Sequence, residues 1–400
     1  MYSSSKRYLC LLLITYNFFT SAKSDSTNVT QKLVDLVSGY GYPFEIHHVE
    51  TEDGYTLEVH RIPHGKENDD KGSSKSVAFL KHGLVDSSAS FMFAGPNVSL
   101  AYLLADSGYD VWMSNSRGNV YSRQHKIYSP RKTAFWNFSW HEFGIYDSPA
   151  VIDYILNKTS EKKVFHVCVS EGCSELYVMT SLKPEYNEKI HMSVNLAPAV
   201  FFRNPSSSAI AAFYTPYMIK EIFSLFGYGR VFDHSPLGAI TNVFCQPGKV
   251  THYFCVIMNY LIMGFDWFQT DFDRLSTFLE YYPAGASIKQ FIHFGSLIQY
   301  SGTFRQFDYG RAKNREVYKS LLPPKYPLEK VTIPVAIFSG LSDPFISVKD
   351  VEILSKRLRN LVDRTILENF NHIDVYLHDD IKELVYTKII KLFKANSTQT

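Results

Sequence analysis

The stretch 164-VFHVCVSEGCS-174 reads as a β-strand over residues 164–169 that runs into a sharp turn at Ser170 and then into a helix reaching about Ser181. The frame around the serine is C-V-S-E-G. It departs from G-x-S-x-G, the frame that sets a serine on a strained strand-to-helix turn. Gly172 is kept, Cys168 stands at the first glycine, and Glu171 follows the serine. A serine hydroxyl is a weak nucleophile unless a base takes its proton. The meaning of Ser170 therefore depends on what the rest of the chain brings to it.

Working outward, strands and helices alternate. Residues 46–63 hold two β-forming runs around Asp53-Gly54, a hairpin signal. The charged stretch 64–76 reads as a surface loop. Then 77-VAFLKHGLVDSS-88 reads as a buried strand ending in a His-Gly loop, 100–110 as a helix, and 110–113 as a short strand. Residues 148–158 form a helix with Pro149 near its start, and 190–198 a further strand. After an aromatic and mostly helical stretch, the pattern returns with a strand at 333–340, a helix at 348–358, a strand at 364–369 and an amphipathic helix at 379–394. This predicts an α/β fold of the α/β-hydrolase type: a mostly parallel sheet flanked by helices, with a mainly helical insertion. The expected division is a core over 23–199 and 326–395, interrupted by a cap over 200–325. Few of the predicted cap helices, at 210–229, 250–268 and 286–302, have a clean polar face, so they must bury several sides or cover something apolar.

The amino terminus is separate. Lys6 and Arg7 precede an apolar run of about 12 residues and the small-residue site T-S-A, a signal-peptide pattern over 1–22. The run is short of the roughly 20 residues a spanning helix needs, and no transmembrane segment is expected in the mature chain. Removal of 1–22 leaves 39 basic against 39 acidic residues, a balance that gives no reason to expect a nucleic-acid partner. In a secretory compartment the N-x-S/T sites at Asn28, Asn97, Asn137, Asn157 and Asn396 are glycosylation candidates, Asn137 being flanked by Trp136 and Phe138 and expected to be the most buried. Cys245 and Cys255 are spaced for a local disulfide or for two unpaired buried thiols. Cys168 and Cys173 read as small packing residues and as poor partners for each other, one being in the strand and the other on the helix.

The chemistry rests on order. Ser170, Asp343 and His372 each follow their own predicted strand, in the sequence serine, acid, histidine. Asp350, Asp374 and His378 are the rivals; Asp350 falls within a predicted helix, Asp374 directly trails the histidine, and His378 lacks the strand–loop setting. An oxyanion needs two donors, and the backbone N–H groups of Leu84 and Glu171 are the candidates. Two placements of the Glu171 side chain are open: at the helix start, where a carboxylate is favourable against the dipole, or toward the site, where its charge would oppose the charge that develops on the oxyanion or instead raise the pKa of His372.

The elements 82-HGLVDSS-88, 106-DSGYDVWMSNSRGN-119, 121-YSRQHK-126, 135-FWNFSWHEFGIYDSPA-150, 283-PAGAS-287 and 369-NFNHID-374 resemble the acid lipases, the family of lysosomal acid lipase and gastric lipase. The resemblance runs from about Tyr40 to Phe393. It implies a serine lipase cleaving carboxylic esters of neutral lipids, triacylglycerols or sterol esters, in the extracellular space or the lysosomal lumen. The family's catalytic residues fall on Ser170, Asp343 and His372, and its oxyanion positions on Leu84 and Glu171. It further implies a cap that covers an apolar tunnel and touches the lipid interface, a cap disulfide at Cys245–Cys255, and no metal or organic cofactor. The family's elbow usually reads G-H-S-Q-G, so C-V-S-E-G keeps a second reading in view: a catalytically weak or inactive lipid-binding protein on the same fold.

Overall fold

The computed structural model describes residues 26–67, 75–232, 251, 257, 263–265 and 270–397. The expected signal segment, Cys245, Cys255, the side chain of Asn28 and most of the predicted 250–268 helix lie outside the described residues.

The strands in chain order are β1 (Glu45–Glu50), β2 (Tyr55–Ile62), β3 (Val77–Lys81), β4 (Asp110–Ser114), β5 (Gln124–His125), β6 (Val164–Val169), β7 (Ile190–Leu196), β8 (Arg230–Val231), β9 (Ala286–Ser287), β10 (Val335–Gly340) and β11 (Leu361–Leu367). The main sheet runs β1-β2-β4-β3-β6-β7-β10-β11, with β5 beside β2. The first two pairings are antiparallel and every later one is parallel. The Asp53-Gly54 turn is the expected hairpin: Thr51 Oγ1 donates to the Asp53 carboxylate and Gly54 takes φ +95°.

Both faces of the sheet are buried, as parallel strands require. Period two assigns the sides. Val77 and Phe79 of β3, Val164 and Cys168 of β6, and Val335 and Ile337 of β10 enter one core. Their neighbours Ala78 and Leu80, Phe165 and Val167, and Ala336 and Phe338 enter the other. The helices Ser148–Thr159 and Glu171–Leu182 follow the predicted spans closely.

The insertion is broken more finely than the sequence pattern suggests. The predicted 210–229 helix is a short π-helical turn, Ile210–Tyr214, then Thr215–Met218 with Pro216 at its start, then Lys220–Phe226. The helix Ile288–Gln299 is the longest of the insertion's described helices. Ser287 caps it, with Gln290 returning a bond to the Ser287 N–H, and residues 288–297 are all buried. Gly295 lets it lie against the Phe213 carbonyl, which a Cβ would approach to 2.2 Å.

Two expectations are corrected. Cys168 and Cys173 are joined by a disulfide, with Cα atoms 5.0 Å apart. The turn at Ser170 folds the helix start back on the strand end, which brings two residues from different elements within bonding range. Asn137 is exposed although Trp136 and Phe138 beside it are buried. Its backbone turns between the two rings, and its side-chain oxygen accepts from Lys289 Nζ at 3.1 Å. Asn97 and Asn157 are also exposed, and Asn396 is half-buried.

Candidate active site

Ser170 ends β6 with φ 50° and ψ −112°, a conformation few non-glycine residues adopt. Neighbouring backbone holds it there: its N–H donates to the Leu196 carbonyl at 2.9 Å, and its carbonyl accepts from Cys173 and Ala199 at 3.1 and 3.2 Å. Strain of this kind persists only where the surroundings over-determine it.

The acid and base come from the ends of the two outer strands. Asp343, after β10, accepts on Oδ1 from the N–H groups of Phe345 and Ile346 at 2.8 and 2.9 Å. That leaves Oδ2 for His372 Nδ1, at 2.7 Å. His372, after β11, places Nε2 at 3.0 Å from Ser170 Oγ. The Asp343 side chain is 1% exposed and the His372 side chain 15%. Gly340 permits the last approach, because a Cβ there would fall 1.9 Å from the Phe370 carbonyl oxygen. The rivals are occupied elsewhere. Asp350 accepts from Arg203 and Asn204 of the insertion, and Asp374 accepts from Thr270 and Asn371.

The His82-Gly83-Leu84 loop passes directly over the serine, and a Cβ on Gly83 would sit 3.2 Å from Ser170 Cβ. A buried polar scaffold holds the loop from behind. His82 donates from Nδ1 to the Gly83 carbonyl and accepts at Nε2 from the Ser116 N–H at 3.1 Å. Burial and the Lys81 charge keep that imidazole neutral, well below the usual histidine range. Asn115 accepts on Oδ1 from Ser88 N–H and from Asn119 Nδ2, both at 3.0 Å. Asp86 accepts from the Ser87 N–H, from the Ser90 hydroxyl, and from Tyr376 Oη at 2.8 Å. Tyr376 stands four residues after His372, so Asp86 ties the candidate oxyanion loop to the histidine loop. Burial lifts the Asp86 carboxyl to about 6.

Gly172 joins loop and helix. A Cβ on it would lie 2.6 Å from the His82 carbonyl oxygen and 2.9 Å from that of Lys81. Backbone atoms cannot yield as a side-chain tip can, so Gly172→Ala must push the 82–84 loop off the serine. The expected result is a loss of about 100-fold in kcat/KM on a p-nitrophenyl ester, with an unchanged far-ultraviolet spectrum. Activity within about twofold of wild type would refute the fit.

The Glu171 side chain points away from the serine into the helix interface. Its Oε1 accepts from Gln290 Nε2 of the 288–299 helix at 2.8 Å, and the residue is 1% exposed. Asp86, Tyr376 and Gln290 escaped the sequence reading. Asp86 lies inside the quoted HGLVDSS element and carried that much signal, whereas the other two act only across the fold. Among the described residues no group of three or more His, Cys, Asp or Glu is arranged to hold a metal ion, and no helix is long and apolar enough to cross a membrane.

Comparison with known proteins places this arrangement. A family model described as "alpha/beta hydrolase fold" matches residues 79–379, and one described as "Partial alpha/beta-hydrolase lipase region" matches 33–95. Lipase 1 of Drosophila melanogaster is 37% identical over 376 residues, covering 92% of this chain and 80% of that protein. Gastric triacylglycerol lipase of Bos taurus is 35% identical, covering 92% and 91%. Lysosomal acid lipase/cholesteryl ester hydrolase of Macaca fascicularis is 34% identical, covering 96% and 97%. A soluble variant of monoglyceride lipase from Saccharomyces cerevisiae shares the fold at a TM-score of 0.54 and 13% identity, over 88% of this chain and 94% of that one. The chain thus belongs to the α/β-hydrolase superfamily and, within it, to the lipase family that includes the gastric and lysosomal acid lipases.

Proposed function

We propose that the protein is a secretory-pathway lipase that hydrolyses carboxylic esters of neutral lipids through an acyl-enzyme on Ser170. The hydrogen-bond chain from Ser170 Oγ to His372 Nε2 and from His372 Nδ1 to Asp343 Oδ2 carries this reading. His372 takes the serine proton as Oγ attacks the ester carbonyl, and Asp343 fixes the imidazole and balances the charge it gains. The N–H groups of Leu84 and Glu171 receive the oxyanion. The C–O bond to the alcohol then breaks, and His372 returns its proton to the leaving oxygen. Water, deprotonated by His372, attacks the acyl-enzyme and releases the fatty acid and free Ser170.

Neutral lipid as substrate is supported by the names of the gastric and lysosomal relatives and by the insertion, taken as 200–325. Its segment around Lys220–Phe226 exposes Met218, Ile222, Leu225 and Phe226, the last two at 81% and 79%. Such a patch suits transient contact with a lipid surface. A secreted or lysosomal setting accords with those relatives and with the elbow disulfide.

The test is a substrate profile of the purified mature protein. Emulsified long-chain triacylglycerol or cholesteryl ester should be cleaved faster than a dissolved short-chain ester of equal concentration. Turnover confined to the dissolved ester would make the protein a carboxylesterase instead.

A further inference from the structure

Glu171 and Glu175 are one helical turn apart, so their side chains lie on the same face of the helix Glu171–Leu182. Both are buried, at 1% and 0% exposure. Glu171 uses Oε1 on Gln290, and its Oε2 has no partner among the described residues. Glu175 uses Oε2 on Lys81 Nζ at 3.3 Å and Ser148 Oγ at 3.2 Å, and its Oε1 has no partner among the described residues. Two orphaned oxygens on stacked carboxyls cannot both be acceptors, because an unpaired buried acceptor is costly and two adjacent buried negative charges more so. A single proton shared between the two carboxyls, which sense each other's charge, would satisfy both. Lys81 is already bound to Glu175, which leaves the proton to Glu171.

We propose that Glu171 is held as a neutral carboxylic acid hydrogen-bonded to Glu175, and that loss of this proton puts a negative charge beside the oxyanion donor and slows acylation, so that the pair acts as a positioning device that keeps the elbow uncharged through near-neutral pH and fails in alkaline solution. This deepens, and rests on, the serine-hydrolase reading above. It also accounts for the C-V-S-E-G elbow. A protonated glutamate has the shape and the hydrogen-bonding sense of a glutamine: one oxygen accepts from Gln290 and the other atom donates downward to Glu175.

The groups facing the pair are few. Lys81 comes from the end of β3, Ser148 and Asp147 from the start of the helix Ser148–Thr159, and Gln290 from the insertion. Asp147 is committed to Arg117, and Lys81 also donates to Ser116 Oγ at 2.7 Å. His82 and His166, the buried imidazoles that feel the Lys81 charge, are kept neutral by burial. Among the described residues, only Lys81 therefore offsets the two carboxyls directly. Burial and the neighbouring Glu175 push the Glu171 carboxyl well above the ordinary range, and burial lifts Glu175 to about 8 against the pull of Lys81. A carboxyl with a raised pKa binds its proton in the folded protein at a pH where a free one would be ionised, so the neutral form persists into acidic and near-neutral solution and is lost as pH rises.

The decisive experiment follows the rate of fluorophosphonate labelling of Ser170, and ester turnover, between about pH 5 and about pH 10, a span that passes through the ionisation of both carboxyls. In Glu171→Gln the ratio of the rate at the higher pH to that at the lower should exceed the wild-type ratio by about tenfold or more, since no charge can form there. Glu175→Gln should do the opposite. It removes the repelling charge and gives Glu171 an N–H donor, so the wild-type decline moves to lower pH. A merely structural role would move neither limb, and profiles of unchanged shape in both variants would overturn the proposal. Infrared spectroscopy supplies a readout free of activity: the wild-type minus Glu171→Gln difference spectrum at about pH 5 should contain the C=O stretch of a buried carboxylic acid, the subtraction cancelling the other buried acids such as Asp86. If that band is present while Ser170 takes no label at any pH, the proton pair stands and the hydrolase reading falls. If the difference spectrum lacks that band, the pair falls whatever the enzyme does.

Discussion

Ser170→Ala should lower ester hydrolysis by about 10⁴- to 10⁶-fold and abolish fluorophosphonate labelling. The size follows from the chain of contacts. With the hydroxyl gone, His372 Nε2 loses its partner at 3.0 Å, and no covalent intermediate can form. His372→Ala should cost nearly as much, and the double variant little more, because the two groups act as one unit. The residual rate would come from the backbone donors at Leu84 and Glu171. Circular dichroism should show both variants folded, since neither side chain fills the core. Wild-type protein that binds neutral lipid but shows neither label nor turnover between about pH 4 and about pH 8 would make this a lipid-binding member of the family.

Arg117→Met should destabilise the fold by about 3–5 kcal/mol, read from the denaturant midpoint. The Arg117 side chain is 1% exposed and lies 4.0 Å from the centre of the Tyr55 ring. It donates from Nε to Asp147 at 2.8 Å and from Nη2 to Asp53 at 2.8 Å, with further bonds to both carboxylates. It thereby clasps the β1–β2 turn to the start of the helix Ser148–Thr159. Methionine fills similar space and supplies no donor, so the Asp147 carboxylate is left buried and unpaired. The loss should be smaller at about pH 4 than at about pH 8, because an orphaned carboxylate can take up a proton in acid. A midpoint within about 1 kcal/mol of wild type would show that water or another side chain replaces the clasp.

The same residue shows how much was legible in the sequence. The fold was readable because short apolar strand runs such as 77–81 and 164–169 alternate with long helical patterns, and that alternation admits few topologies. The catalytic candidates were readable because each follows its own strand. The stretch 106–126 was the most specific element of the resemblance, but its work could not be read from order alone. Only the fold shows Asn115, Ser116 and Asn119 supporting the loop over the serine while Arg117 faces the other way as a clasp. The Cys168–Cys173 bond was misjudged for a related reason. Assigning the two residues to different elements hid the fact that the turn at Ser170 between them brings their Cα atoms to 5.0 Å. Glu171 was the residue with two open orientations, and the choice was made by Gln290, distant in sequence and invisible without the insertion in place.

The elbow disulfide also limits how this site can change by descent. Cys168 lies in a fully buried strand and Cys173 on a fully buried helix turn, so neither has solvent to fall back on. A lineage that lost one would keep a lone thiol two or three residues from Ser170, packed where its partner had been. Intermediates on the way to or from a glycine elbow are therefore worse than either end, and the two positions are coupled in the sense that single changes do not add. The span from Cys168 to Cys173 is best regarded as a single heritable unit, gained or discarded whole.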